Sequence, residues 1–295
     1  MSRILRLATR NSPLALWQAR WVARLLRQAH PGLEVRLVPM TSSGDQDRSY
    51  ALYQSSTVGV FVREIQSAVL EGRADAGVHS CKDLPTVEPT GLTLVATPPR
   101  ADVRDALLTV DGRGLDDLPQ GAVVGTSSLR RQTQLAARRP DLRFVPIRGN
   151  VDTRIAKLQR GEVQATLLAM AGLHRLGLVV ASRAVALDPW GICTPAPAQG
   201  AVAIDCRTGD HRTQRLLAVI SDLATWKAIH LERAILNRCE GGCSLPLGVL
   251  ARRGHDGAWR LRASLGDAQA PLQTVNLQGG DPATYLDRVL TAFGR

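Results

Sequence analysis

The sequence predicts an α/β protein built as two doubly wound domains followed by a smaller α+β domain. Three observations carry this. Short apolar strands alternate with amphipathic helices in two successive βαβαβ runs, the rhythm of parallel sheets. Each run places polar, arginine-bearing turns where a strand gives way to a helix. After about residue 220 the rhythm changes to helix, hairpin, strand and helix. A chain of 295 residues has room for two or three such domains.

Ile4–Leu7 reads as the first strand. Ser12 caps a helix with Pro13 at its first position, and Leu14, Trp17, Trp21, Val22 and Leu25 form its predicted apolar face. Val35–Pro39 is the next strand. Phe61–Glu71 is a helix with Val62, Ile65 and Val69 inward, and Asp75–His79 a strand. The second run has strands at Ala122–Gly125, Arg143–Ile147 and Ala165–Ala169, with helices at Ser128–Arg138 and Val151–Arg160. Pro98-Pro99 reads as a hinge; Pro195, Pro197 and Gly200 read as a return crossing. In the tail, Trp226–Asn237 is a helix. Val249–Arg252 and Trp259–Leu265 form a hairpin turning at Asp256-Gly257, and Thr274–Leu277 and Ala283–Phe293 close the chain. The expected domains are residues 1–99 with 199–217, residues 100–198, and residues 218–295.

Composition narrows the function. Hydrophobic residues make up 44% of the chain, which excludes disorder, and aromatics only 4%, which argues against a base-stacking surface. The net charge of +11 is almost all arginine, since Lys82, Lys157 and Lys227 are the only lysines. Arginine forks suit carboxylate and phosphate. No signal peptide is read at Met1–Leu7, and the apolar run Ala165–Leu173 is too short to span a bilayer. Five cysteines, at 81, 193, 206, 239 and 243, leave an odd count. A reducing cytoplasm, free thiols and a monomer are expected, with neither membrane nor nucleic acid as partner.

Chemistry concentrates in a few stretches. Ala76–Pro85 carries His79, Ser80, Cys81, Lys82 and Asp83 where a buried strand ends, and Pro85 stops regular structure at once. A carboxylate there is either a fixed acid or base, or a cap or a partner of Lys82. Gly125–Arg131 brings Thr126, Ser127 and Ser128 to a helix N-terminus with Arg130 and Arg131, which reads as an anion site or as a serine-capped helix with exposed arginines. Arg148–Arg154 repeats the design around Gly149 and Asn150, and Thr9–Pro13, with Arg10 and Ser12, is a third case. In open α/β sheets the C-terminal ends of the strands share one cleft, so the substrate should carry several negative groups. No glycine spacing fits a dinucleotide or Walker loop. Cys239-Glu240-Gly241-Gly242-Cys243 does not have zinc-ligand spacing, and no metal is expected. Cys243, after two glycines, suits a thiol offered to a cleft, with a plain loop cysteine as the alternative. His79 and Cys81, two apart on a strand, could touch, but nothing nearby supplies an oxyanion hole.

Taken in order, LATRNSPLALWQA, the SSGD turn, FVREIQSAVLEGRADAGVHSCKDLPT, VGTSSLRRQ, RGNVDTR, AGLHRLG, PAQGAVAIDCR and ERAILNRCEGGCSLPLG resemble the porphobilinogen deaminase (hydroxymethylbilane synthase) family. The resemblance covers residue 5 to about 250. It implies three α/β domains, the first two like type II periplasmic binding proteins. It also implies a transferase that condenses four porphobilinogen molecules with release of ammonia. Priming on a dipyrromethane cofactor is implied too, with its thioether on Cys243. Asp83 is the implied catalytic carboxylate. Lys82, Arg130, Arg131, Arg154, Ser80, Thr126, Ser127 and Ser128 are implied at the cofactor, and Arg10, Ser12, Arg148 and Arg175 at the substrate. Porphobilinogen brings an acetate and a propionate, which the arginine junctions can receive at roughly 1.5–3 kcal/mol per charge-assisted hydrogen bond. Loss of ammonia leaves positive charge on a pyrrole, which a carboxylate can stabilise. Two positions depart from the family pattern. Val58 stands where family members typically carry a loop lysine, and Asp152 sits beside the arginine pair. The competing class is a non-catalytic two-lobed binder of a small polycarboxylate or other anion.

Overall fold

A computed structural model describes residues 4–40, 57–239, 245–267 and 270–295, with residues 57–61 described in backbone only. In chain order the elements are β1 (Ile4–Arg10), α1 (Pro13–Ala29), β2 (Glu34–Met40), α2 (Thr57–Leu70), β3 (Ala76–Ser80), β4 (Leu92–Ala96), β5 (Asp105–Thr109), β6 (Val123–Gly125), α3 (Leu129–Arg138), β7 (Arg143–Val145), α4 (Val151–Gln159), β8 (Ala165–Ala169), α5 (Met170–Leu176), β9 (Val185–Ala186), β10 (Val202–Arg207), α6 (His211–Ala218), α7 (Leu223–Arg238), β11 (Leu247–Arg253), β12 (Trp259–Leu265), β13 (Gln273–Gln278) and α8 (Tyr285–Ala292). Two compact units result: Met1–Arg100 with Ala201–Lys227, and Ala101–Gly200 with Ala228–Arg295.

The first unit holds one five-stranded sheet in the order β2-β1-β3-β10-β4. β1 runs parallel to β2 and β3, while β10 is antiparallel to β3 and β4. Ser12 caps α1 by accepting from the Ala15 N–H at 3.4 Å, and Pro13 opens the helix as expected. The buried face of α1 overlaps the expected stripe at Val22, and Trp21 and Leu25 of that stripe pack against the core. Gln18, Ala19, Val22, Ala23 and Leu26 are buried, whereas Trp17 and Trp21 stack on each other, half-buried, with centroids 5.9 Å apart. Val62, Ile65 and Val69 of α2 are buried as expected. Residues 218–227, assigned from sequence to the last domain, pack in this unit. The Thr97 carbonyl accepts from the Asp222 N–H at 2.8 Å, and Thr225 Oγ1 accepts from the Arg100 N–H at 3.0 Å.

The second unit holds two sheets. The larger, β7-β6-β8-β5-β9, repeats the pattern of the first unit: β6 is parallel to β7 and β8, and β5 enters antiparallel. The smaller, β11-β12-β13, is antiparallel, with its first hairpin turning at Asp256-Gly257, where Gly257 has φ +77. Leu107, Val124, Leu135 and Leu167 build a core under the larger sheet. Ile235, Val249, Leu261, Tyr285 and Val289 build one between the smaller sheet and helices α7 and α8. The architecture is therefore the expected α/β class, two doubly wound sheets of the type II binding-protein pattern plus an α+β tail. Among the described residues no helix is long and apolar enough to cross a membrane.

One buried carboxylate ties the tail to the larger sheet's return segment. Glu232 of α7 is fully buried. Its Oε1 accepts from the Ala251 N–H of β11 at 2.8 Å and its Oε2 from the Ala198 N–H at 2.6 Å. Ala198 has φ +61, a left-handed conformation that costs an alanine about 1–2 kcal/mol and persists only where its surroundings hold it. Glu232→Ala leaves two buried N–H groups without acceptors, at about 1–3 kcal/mol each. Its thermal or urea unfolding should shift by that much, and Glu232→Gln, which keeps one oxygen acceptor, should shift less.

Candidate active site

The site residues of the first unit cluster at one edge of its sheet. β1 and β3 are parallel, so their C-terminal ends lie together. Arg10 ends β1 and Ser12 caps the helix that follows. Ser80 ends β3, and Cys81–Asp83 make a single 3-10 turn before Pro85. Arg10, Ser12, Gln18, His79, Ser80 and Asp83 line one cavity of about 200 Å³ together with Leu14, Ala15, Val62, Ile65 and Val78. Asp83 is half-buried there, as are Lys82 and Ser80. The Ser80 hydroxyl is held by Gln18, whose Nε2 donates to it at 2.9 Å. Gln18 went unnoticed in the sequence, although a glutamine on the buried side of an amphipathic helix is a detectable signal.

The His79–Cys81 contact considered from sequence does not form. The Cys81 N–H donates to the Ala201 carbonyl and its side chain is buried. His79 turns instead to Asp205 of β10, with Nε2 3.1 Å from Oδ1, both residues being 4% exposed. The other Asp205 oxygen accepts from Gln66 Nε2 of α2 at 3.2 Å.

In the second unit the antiparallel entry of β5 sets Asp105 opposite Ala169, at the edge where β6 and β8 end. Arg130 and Arg131 were expected in a wet site beyond the strands. They are instead 6% and 7% exposed and closed around Asp105, which is fully buried. Arg130 NH1 donates to Oδ2 at 2.7 Å and to the Thr194 carbonyl at 2.7 Å. Arg131 NH2 donates to Oδ1 at 2.7 Å, and its NH1 to the Leu167 carbonyl at 2.8 Å. Gln199 Nε2 adds a bond to Oδ1 at 3.0 Å. Burial on its own would push the Asp105 carboxyl up; the two guanidiniums outweigh it and hold the group well below the usual carboxylate range. Burial, then Asp105, push the neighbouring Cys193 thiol up to about 12, so it is inert. Asp105 went unread because it opens a strand of otherwise buried residues, a placement with no functional motif around it.

The hydroxyls of this edge serve the backbone. Ser128 caps α3 by accepting from the Arg131 N–H at 3.4 Å, Thr126 Oγ1 accepts from the Ser128 N–H at 3.2 Å, and Ser127 bonds the Ile147 carbonyl at 3.0 Å. Arg154 Nε donates to the Gly149 carbonyl at 2.9 Å. Burial first, and then the charge of Arg131, push its guanidinium down, a situation that a carboxylate would relieve. Gly149 has φ +111, and a Cβ there would meet Thr153 Cγ2 at 2.6 Å, so glycine is needed for the turn itself. Arg148 is exposed. Arg175 is buried on α5 and donates to the Gly200 carbonyl at 2.8 Å; burial pushes its guanidinium down to about 10. Arg148 and Arg154 flank the start of α4, where cations beside a helix N-terminus suit an anionic, multi-carboxylate group. Cys243, the Ser43-Gly44-Asp45 turn and the side chain of Val58 lie outside the described residues; the backbone of Val58 is in the first turn of α2.

Residues 5–215 match the family model described as porphobilinogen deaminase, dipyromethane cofactor binding domain, and residues 226–282 match porphobilinogen deaminase, C-terminal domain. The chain belongs to the porphobilinogen deaminase family. Its members are transferases of tetrapyrrole synthesis, with hydroxymethylbilane synthase activity and dipyrromethane as cofactor. Similar solved structures include the Bordetella pertussis BvgS VFT2 domain, at 16% identity, TM-score 0.45, 79% of this chain and 91% of that one. An ancestral cationic amino acid solute binding protein matches at 14% identity and TM-score 0.47, covering 74% of this chain and 87% of that one. A putative methionine-binding lipoprotein from Bacillus subtilis matches at 13% and 0.45, covering 74% and 90%.

The two classes of arginine should separate experimentally. Arg131→Leu strands Asp105 with half its compensation and should lower the unfolding free energy by about 3–5 kcal/mol. Arg148→Leu, on the surface, should stay within about 0.5 kcal/mol of the parent. Differential scanning calorimetry of the two apoproteins distinguishes them.

Proposed function

We propose that this chain joins four porphobilinogen molecules into the linear tetrapyrrole hydroxymethylbilane with release of ammonia, primed on a dipyrromethane held by a thioether to Cys243. The observation that carries the reading is the cavity of the first unit, where the Asp83 carboxylate and the Arg10 guanidinium line one space at the C-terminal edge of a parallel sheet. A pyrrole substrate offers an N–H donor and carboxylate acceptors, and this cavity offers one group for each. When bound, the dipyrromethane supplies a pyrrole carbon on which the growing chain is built. Arg154 and Arg148 receive its carboxylates and those of the product, with Ser127 and the start of α3 beside them, while Arg130 and Arg131 act mainly by fixing that edge around Asp105. Lys82 and Ser80 border the Asp83 turn. Asp83 accepts the pyrrole N–H and stabilises the positive charge that develops as ammonia departs. Arg10 and Ser12 orient the incoming acid groups, and Arg175 contributes to the substrate's placement from α5.

Each of the three sheets has its own buried cluster, which supports three domains near residues 1–99 with 199–217, 100–198 and 218–295, with residues 218–227 packing in the first. Four described cysteines are free thiols, which supports a reducing cytoplasm as the compartment.

Asp83→Asn keeps the side chain's shape and removes its charge. It should fold as the parent does and lose about 10²–10³ in kcat, read by porphobilinogen consumption. Near-parental turnover would move the carboxylate elsewhere. Intact mass supplies the second test. The parent should carry a covalent dipyrromethane that Cys243→Ser lacks; an unmodified parent that binds polycarboxylates without turnover would favour the anion-binding class.

A further inference from the structure

The cavity beside Asp83 has a second titratable wall. His79 lines it, and the ring is pinned from behind. Gly77 and Asp205 face each other across β3 and β10, and His79 is two residues further along β3 on the same face of the sheet. A Cβ at Gly77 would strike both Asp205 Oδ1 and His79 Nε2, as well as Ile65 at 2.8 Å. The only side chain without bulk therefore sits where the pair needs room. α2 closes the face from above, with Gln66 donating to the second carboxylate oxygen.

A buried His–Asp pair is a poor way to stabilise a sheet, since desolvation of two polar groups offsets most of their attraction. It is an effective way to fix one imidazole tautomer. With Nε2–H donated to Asp205, the nitrogen left for the cavity is Nδ1, carrying a lone pair. Among the described residues, the charged groups lining the cavity with His79 are Asp83 from the turn after β3 and Arg10 from the end of β1, Asp205 of β10 bonds the ring, α1 adds the neutral Gln18 to the lining, and Gln66 of α2 bonds Asp205.

We propose that His79, held in its Nε2–H tautomer by Asp205, is a catalytic base of the first unit that works beside Asp83. This rests on the reading of the cavity as a pyrrole site. Chain extension requires two transfers with different demands. As the C–N bond of the incoming unit breaks, ammonia leaves with the bonding pair and the charge left on the pyrrole is met by the Asp83 carboxylate. As the new C–C bond forms, the free α-carbon of the terminal pyrrole gives a ring electron pair to the cationic methylene left by ammonia, and its C–H bonding pair then returns to the ring. The proton released goes to His79 Nδ1, and from the imidazolium to the ammonia that the C–N cleavage released. A neutral base with a lone pair suits that step, and the two groups divide the work by environment.

His79→Gln can keep a donor to Asp205 but cannot carry a proton. It should retain its covalent adduct by mass, lose about 10²-fold in kcat with KM unchanged, and lose the acidic limb of the kcat–pH profile. A second readout needs no turnover: ¹⁵N NMR of the imidazole in Cys243→Ser apoprotein should show Nε2–H with Nδ1 bare, and Asp205→Asn should shift the tautomer and lower kcat alone. Parental kcat and pH profile in His79→Gln, or an Nδ1–H tautomer in the apoprotein, would overturn the role while leaving the function intact. If the parent itself consumes no porphobilinogen, the functional reading falls and this proposal falls with it.

Discussion

Asp105 sets the terms for the second unit. A carboxylate with no solvent exposure survives only if its charge is met, and Arg130, Arg131 and Gln199 meet it from two directions. The same side chains reach the Thr194 and Leu167 carbonyls. One ionic cluster thus binds the helix that starts at Ser128, the antiparallel strand β5, strand β8 and the return segment into a single edge. A balance of one negative and two positive charges leaves this edge electropositive. Further arginines on that edge, at 148 and 154, then raise the local potential without being consumed by internal pairing.

The first unit solves a different problem at the equivalent place. Its edge has Arg10 and Asp83 around a cavity rather than two buried guanidiniums around a carboxylate, and its buried hydrogen-bonded pair joins His79 of the cavity wall to Asp205. The repetition of strand order in the two units therefore carries no repetition of side chains: the first presents a carboxylate and an imidazole beside one guanidinium, the second presents several guanidiniums.

Much of this was legible in the order of residues. Period-two and period-3.6 patterns located the strands and helices, and Ser12-Pro13 and Ser128 marked helix starts that the structure shows as real caps. Asp83, Arg10 and Ser12 were placed at a strand edge by the same reasoning and line one cavity. What remained illegible was partnership across long sequence separation. Nothing near Arg130 points to Asp105, 25 residues upstream, and nothing near His79 points to Asp205, 126 residues away. An arginine after a strand reads alike whether it waits for a ligand or serves a buried anion; only the fold supplies the difference. The α1 face was read only in part: Val22, Trp21 and Leu25 do meet the core, while the small and polar residues Ala19, Ala23 and Gln18 that share that face carry no bulk to announce it.

The placement of β10 has a consequence for how the chain is made. Val202, Ile204 and Cys206 fill the middle of the first sheet, between β3 and β4, although about a hundred residues of the second unit are synthesised before them. On the ribosome, β3 and β4 must wait with an open seam, its polar backbone and apolar faces uncovered, until that stretch has emerged. The larger sheet of the second unit has no such debt, since all five of its strands lie between residues 105 and 186. Nascent chains should thus acquire structure from the middle outward, and the N-terminal third is the part most exposed to chaperones and proteases during synthesis.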